Sequence, residues 1–127
     1  HGPGRNEVRM ASAGLFIGWG APIAGREAKG LAVFGEALAY YGRLEAEGKV
    51  ESSEVALLQP HGGDLDGFIL VRGSEEQMNA VRADDEFRTI NARANLVVQN
   101  LGTIDAVLGD GVEPEMGRYA AAIEAIV

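Results

Sequence analysis

Hydrophobic residues along this chain of 127 residues keep two rhythms, a period of two and a period of three to four. Residues 13–20 predict a first strand, with Leu15, Ile17 and Trp19 on one face and Phe16 on the other. Gly20, Pro22 and Gly25 break it. A helix follows over 25–47, with an apolar stripe of Leu31, Phe34, Leu38, Tyr41 and Leu44. Gly48 suits the left-handed residue that ends a helix. Gly30, Gly35 and Gly42 lie inside this helix, each costing up to ~1 kcal/mol against Ala. That cost predicts close packing of the helix on a sheet.

The period of two returns over 50–59, the second strand. Pro60, His61, Gly62, Gly63 and Asp64 form a turn cluster, and 66–72 is the third strand. Ser74 and Gln77 have the spacing of a capping box, with Glu75 and Glu76 at the positive end of the helix dipole. Met78 and Val81 give that helix its buried side. Asp84 and Asp85 interrupt it, and a second piece with Phe87 and Ile90 runs to about residue 94. Residues 96–108 predict the fourth strand, bulged near Gly102. Pro114 opens a last helix with Met116, Tyr119, Ile123 and Ile126 at helical spacing.

Strand-helix-strand occurs twice. With right-handed crossovers, two interleaved units give an α+β fold, a four-stranded antiparallel sheet with helices on one face. This is the ferredoxin-like βαββαβ arrangement followed by a C-terminal helix. Phe68, Ile69, Leu70 and Val71 in a row need cover on both faces of the sheet. The helices supply one side, and a second copy of the chain is the simplest cover for the other.

In this element order and hydrophobic pattern, residues 13–109 resemble the dimeric α/β-barrel superfamily, in which two such sheets close face to face. The stretch from Gly25-Arg26-Glu27 through Phe34, Tyr40 and Tyr41 to the Gln59–Asp64 loop is similar to an uncharacterised bacterial group, distantly YCII-related or like the antibiotic-biosynthesis monooxygenases. The resemblance implies a homodimer with a barrel pocket. It carries no particular reaction, and fold alone does not supply one.

The formal net charge is −8, and there is no block of Lys and Arg, which disfavours nucleic-acid and anionic-membrane surfaces. There is no Cys, which excludes disulfides, thiolate catalysis and Cys-ligated metals and fits a cytoplasmic protein. No apolar run is long enough to span a membrane. Residues 1–9 are expected to be disordered, an expression remnant or a processed end, leaving 10–127 as a single domain.

The topology predicts that Trp19, Arg26, His61, Asp64, Asp66, Arg93 and Asn95 gather near one edge of the sheet. Polar groups around an aromatic ring are the makings of a small-ligand site. A carboxylate from Asp64 or Asp66 beside His61 would orient the imidazole as a general base. YCII-related proteins, by resemblance, use such a His and Asp pair. The competing reading, which Gly and Asp at a hairpin tip favour, is a plain turn. Trp19 would stack on a ring substrate or fill the barrel end, and Arg26 at a helix N-terminus would hold an acid group or serve the helix start. Tyr40 is expected to be freer than Tyr41 and is a candidate ligand-binding residue. Arg88 and Arg93 read as surface ion-pair formers with Asp84, Asp85 and Glu86, though Arg93 is also a candidate ligand-binding residue. Neither a cofactor nor a metal is expected, and no dinucleotide or phosphate-loop fingerprint is present.

The functions left open are a small-molecule-binding protein for an apolar or aromatic ligand, a cofactor-independent enzyme with His61 as base, and a structural or interaction dimer using the last helix.

Overall fold

The computed structural model describes residues 11–126. The expectation for residues 1–9 therefore lies outside the described residues. Strand β1 spans Ala13–Trp19, helix α1 Glu27–Ala46, β2 Ser52–Leu57 and β3 Gly67–Gly73. Helices α2 (Glu75–Ala83) and α3 (Asp85–Asn95) precede β4 (Gly102–Val107). A single 3-10 turn then leads into α4, Val112–Ile126. The strands form one antiparallel sheet in the order β2-β3-β1-β4. Trp19 pairs with Gly67, Gly67 with Leu57, and Gly18 with Gly102, so the four strands share one end as the topology predicts. This is the ferredoxin-like α+β fold.

Local chemistry sets the element ends. Ser74 Oγ accepts from the Gln77 N–H at 3.0 Å while Gln77 Oε1 accepts from the Ser74 N–H at 2.9 Å. The capping box is thus formed in both directions, and it starts α2. Gly48 has φ 74°, and the Lys49 N–H reaches back to the Leu44 carbonyl at 2.9 Å, closing α1 with a left-handed residue. Asp84 sits in extended backbone between α2 and α3 and separates them.

The core lies between helices and sheet. Leu15, Ile17, Ile69 and Val71 from the sheet meet Tyr40, Tyr41, Leu44, Met78, Val81, Phe87 and Ile90 from the helices. The opposite face of the sheet carries Phe16, Phe68, Leu70 and Ile104. Phe16 and Phe68 stack there with ring centroids 4.8 Å apart.

Three expectations change. Residues 96–101 are not part of β4, which starts at Gly102. Instead Val97 to Gln99 pair with the chain just after β1: Gly20 N–H donates to the Gln99 carbonyl and Ile23 N–H to the Val97 carbonyl, at 2.8 and 2.9 Å. An alternating apolar run suited to a long strand is divided between two pairings.

The expected stripe of α1 holds at buried Tyr41 and Leu44 and half-buried Phe34, but not along its whole length. Leu31 is 72% exposed and Leu38 is exposed, whereas Tyr40, expected to be free, is 1% exposed. α1 packs on α3 as well as on the sheet, and Tyr40 meets Asp84 at the start of α3, so its buried face is wider than one stripe. Third, a Cβ at Gly35 or Gly42 would meet nothing within 4 Å among the described residues, so packing within them does not explain these glycines. Only Gly30 faces a neighbour, Val97.

No residue of α4 is buried, and Met116, Tyr119, Ile123 and Ile126 are all exposed.

Candidate functional site

An apolar cavity of about 300 Å³ lies between the helix layer and the sheet. Ile17, Tyr41, Ile69, Ile90 and Val97 form its buried wall, and Phe34 and Ala37 of α1 line it from above. Its exposed lining residues, Pro22, Glu27, Leu31, Leu57 and Asp66, mark the mouth at the shared strand end. The ribbon formed by residues 20–23 and 97–99 closes one side.

Trp19 ends β1 at this mouth. Its ring packs edge-on against Phe34, centroids 5.7 Å apart. A Cβ at Gly67 would come within 2.8 Å of the indole ring, so the absence of a side chain there lets Trp19 lie against β3. The Asp66 N–H donates to the Trp19 carbonyl at 2.8 Å, which holds the two residues side by side at the rim. Few groups inside are polar. Tyr41 and Asn91 are the main ones, and burial raises the Tyr41 phenol well above the ordinary tyrosine range.

Of the residues singled out in the sequence, the structure brings Trp19 and Asp66 together at the cavity. The others are dispersed. Exposed His61 folds back on its own loop: its Nδ1 accepts from the Gly63 N–H at 3.2 Å, so Nε2 carries the proton and donates to the Leu65 carbonyl at 2.7 Å. Neither Asp64 nor Asp66 is among its hydrogen-bond partners, and His61 does not line the cavity. The imidazole is a loop clasp in this geometry, not an oriented base. Asp64 stands exposed in the same loop, its backbone carbonyl against Gly20.

Arg26 and Arg93 sit in a separate groove with Lys29, Leu96 and Val97. The Arg26 guanidinium donates to the Leu96 carbonyl, just past the end of α3, which satisfies a free carbonyl and complements the helix dipole. Arg93 pairs with Glu36 at 3.2 Å rather than with the acids near it in sequence.

Tyr40 lies away from the cavity, where its hydroxyl donates to Asp84 Oδ2 at 2.5 Å. Burial, and then this hydrogen bond, raise its pKa far above the ordinary value. With Arg43–Glu86 at 2.6 Å and Arg93–Glu36, this contact straps α1 to α3.

Sequence reasoning missed Glu27 and Asn91 as lining residues. Asn91, the one polar side chain in a helical row of Phe87, Ile90 and Ala94, was a readable signal. Glu27 was not, because an acid in a first helical turn has a complete local explanation.

No protein-family model matches the sequence. A comparison with curated proteins likewise finds no match. Solved structures do resemble it. A dimeric protein of unknown function with a ferredoxin-like fold from Bacteroides fragilis matches with a TM-score of 0.57 at 11% identity, over 78% of this chain and 99% of the other. A dimeric ferredoxin-like protein of unknown function from Thermobifida fusca gives 0.53 at 10% identity, over 77% and 92% of the two chains. A candidate antibiotic biosynthesis monooxygenase from Chloroflexus aurantiacus gives 0.51 at 19% identity, over 79% and 96%. At such identities the likeness is one of fold, and this chain has the ferredoxin-like fold of these proteins.

Proposed function

We propose that this protein binds a small apolar or aromatic molecule in the cavity beneath α1 and works as a homodimer, in the cytoplasm. The observation that carries the binding reading is the cavity itself. Its size is at the lower end of the ordinary range for small-ligand sites, and its wall is almost entirely hydrocarbon and aromatic. Trp19, the single Trp of the chain, stands at the mouth and reports occupancy. Titration with a neutral phenyl compound such as 2-phenylethanol should change its emission in a saturable way. Ala37→Phe, which fills the cavity from α1, should abolish that change. A Trp19 signal indifferent to the compound, together with no retained small molecule in native mass spectrometry, would overturn the reading.

The dimer is supported by the open sheet face and by the dimeric state of the Bacteroides and Thermobifida proteins. Phe16, Phe68, Leu70 and Ile104 form an apolar surface of the kind that monomers seldom leave to water. Sedimentation at low protein concentration tests it, with a single-chain mass as the contrary result. Among the described residues nothing covers the apolar stripe of α4, which gives an interaction role a further foothold.

A catalytic form of this reading, a cofactor-independent conversion of a cyclic or aromatic substrate, would run on Asp66 instead of His61. Asp66 is the one proposed acid-base residue that lines the cavity. The distant likeness to YCII-related proteins rests on sequence pattern alone.

A further inference from the structure

The cavity wall sorts ligands by shape, so any preference for charge is set at the mouth. Building on the binding role proposed above, we infer that the ligand joins a cationic amine to its apolar body, and that the mouth turns away carboxylates and phosphates. Among the described residues, the ionisable ones in the lining are Glu27, Asp66 and Tyr41, with no Lys or Arg. Both acids are exposed, so they stand where a ligand's head group would emerge. The cations at this end of the fold, Arg26, Lys29 and Arg93, line the neighbouring groove instead of the cavity. Arg26 holds the Leu96 carbonyl and Arg93 holds Glu36.

Trp19 favours the same choice. An ammonium group over the face of an indole is attracted by the ring quadrupole, and a carboxylate is not. Trp19 is half-buried at the cavity, with Asp66 hydrogen-bonded to its backbone. The feature that favours an anion is the N-terminus of α1, and Glu27 in its first turn already supplies that negative charge. The field of the whole chain, at −8, points the same way.

The test uses one hydrocarbon body with three heads: 2-phenylethylamine, 2-phenylethanol and phenylacetate. Each is titrated into the full chain by calorimetry at neutral pH and low salt. The amine should bind about tenfold tighter than the alcohol, and the carboxylate weaker than the alcohol by a similar factor. Raising the salt to about 0.5 M should shrink the amine's advantage severalfold by screening. The double variant Glu27→Gln, Asp66→Asn should bring the amine-to-carboxylate ratio close to one.

The salt arm needs no variant, so a misfolded double variant leaves the inference open to refutation. If the carboxylate binds as tightly as the amine, or the amine's advantage persists in high salt, the charge inference fails and the cavity reading stands. If none of the three compounds binds, the cavity reading fails and the inference fails with it.

Discussion

On the helix side of the sheet, Leu15, Ile17, Ile69 and Val71 are no more than 5% exposed. One residue along the same strands, Phe16, Phe68 and Leu70 are half-buried, and Ile104, paired with Phe16 from β4, is 55% exposed. The strands, register and apolar character are shared, and only the cover differs. α1, α2 and α3 cover β1 and β3 on the first face and leave a shaped cavity there. The second face is flattened by Gly14 and Gly18 between its large side chains, with Leu65 and Leu108 folded over those glycines. A period of two places apolar side chains on both faces, but it does not say whether the cover comes from the same chain or from another.

Substitutions on the two faces should therefore fail in different ways. Leu15→Ala, on the covered face, should destabilise the fold by about 3 kcal/mol, read from the urea midpoint. Phe16→Asp, one residue on, should leave the chain folded but weaken association by about 100-fold, seen as a single-chain mass in sedimentation. A folded Phe16→Asp protein that still sediments as a dimer would erase the distinction between the faces.

Smaller effects probe how the helix cover is held. Tyr40→Phe removes the strap from α1 to Asp84 and should cost about 1–2 kcal/mol. The same phenol gives a pH signature. Burial holds Tyr40 and Tyr41 protonated, so their pKa values are higher in the folded chain than in the unfolded one. Their contribution to stability is complete below the ordinary tyrosine pKa of about 10 and falls as pH rises above it. The slope is up to about 1.4 kcal/mol per pH unit for each tyrosine, and Tyr40→Phe should halve it. The smallest effect is expected at His61. His61→Ala should change stability by no more than about 0.5 kcal/mol and leave the response of Trp19 to ligand intact. A loss of ligand response would return His61 to the site.

Much of the architecture was readable because its causes are local. The capping box at Ser74 and Gln77, the left-handed Gly48 and the break at Asp84 each follow from the conformational needs of a few neighbouring residues. The shared strand end that carries Trp19 and Asp66 followed from element order. The membership of the site was less readable. Eight residues were expected near that end or around the ligand for reasons of topology and chemistry, yet backbone carbonyls and distant carboxylates engage several of them. His61 takes Leu65, Arg26 takes Leu96 and Arg93 takes Glu36.

The chain by itself determined the order and kind of its elements, their caps, and a sheet with two apolar faces. Those depend on backbone preference and on the spacing of side chains within a few residues. Tertiary structure decided how wide a face of α1 is buried, that residues 97–99 pair with 20–23 and not with the sheet, and which charged groups line the cavity mouth. Each of those outcomes is a competition among partners far apart in sequence. Hydrogen-bonding groups and apolar surfaces go to whichever partner the packed fold brings within reach.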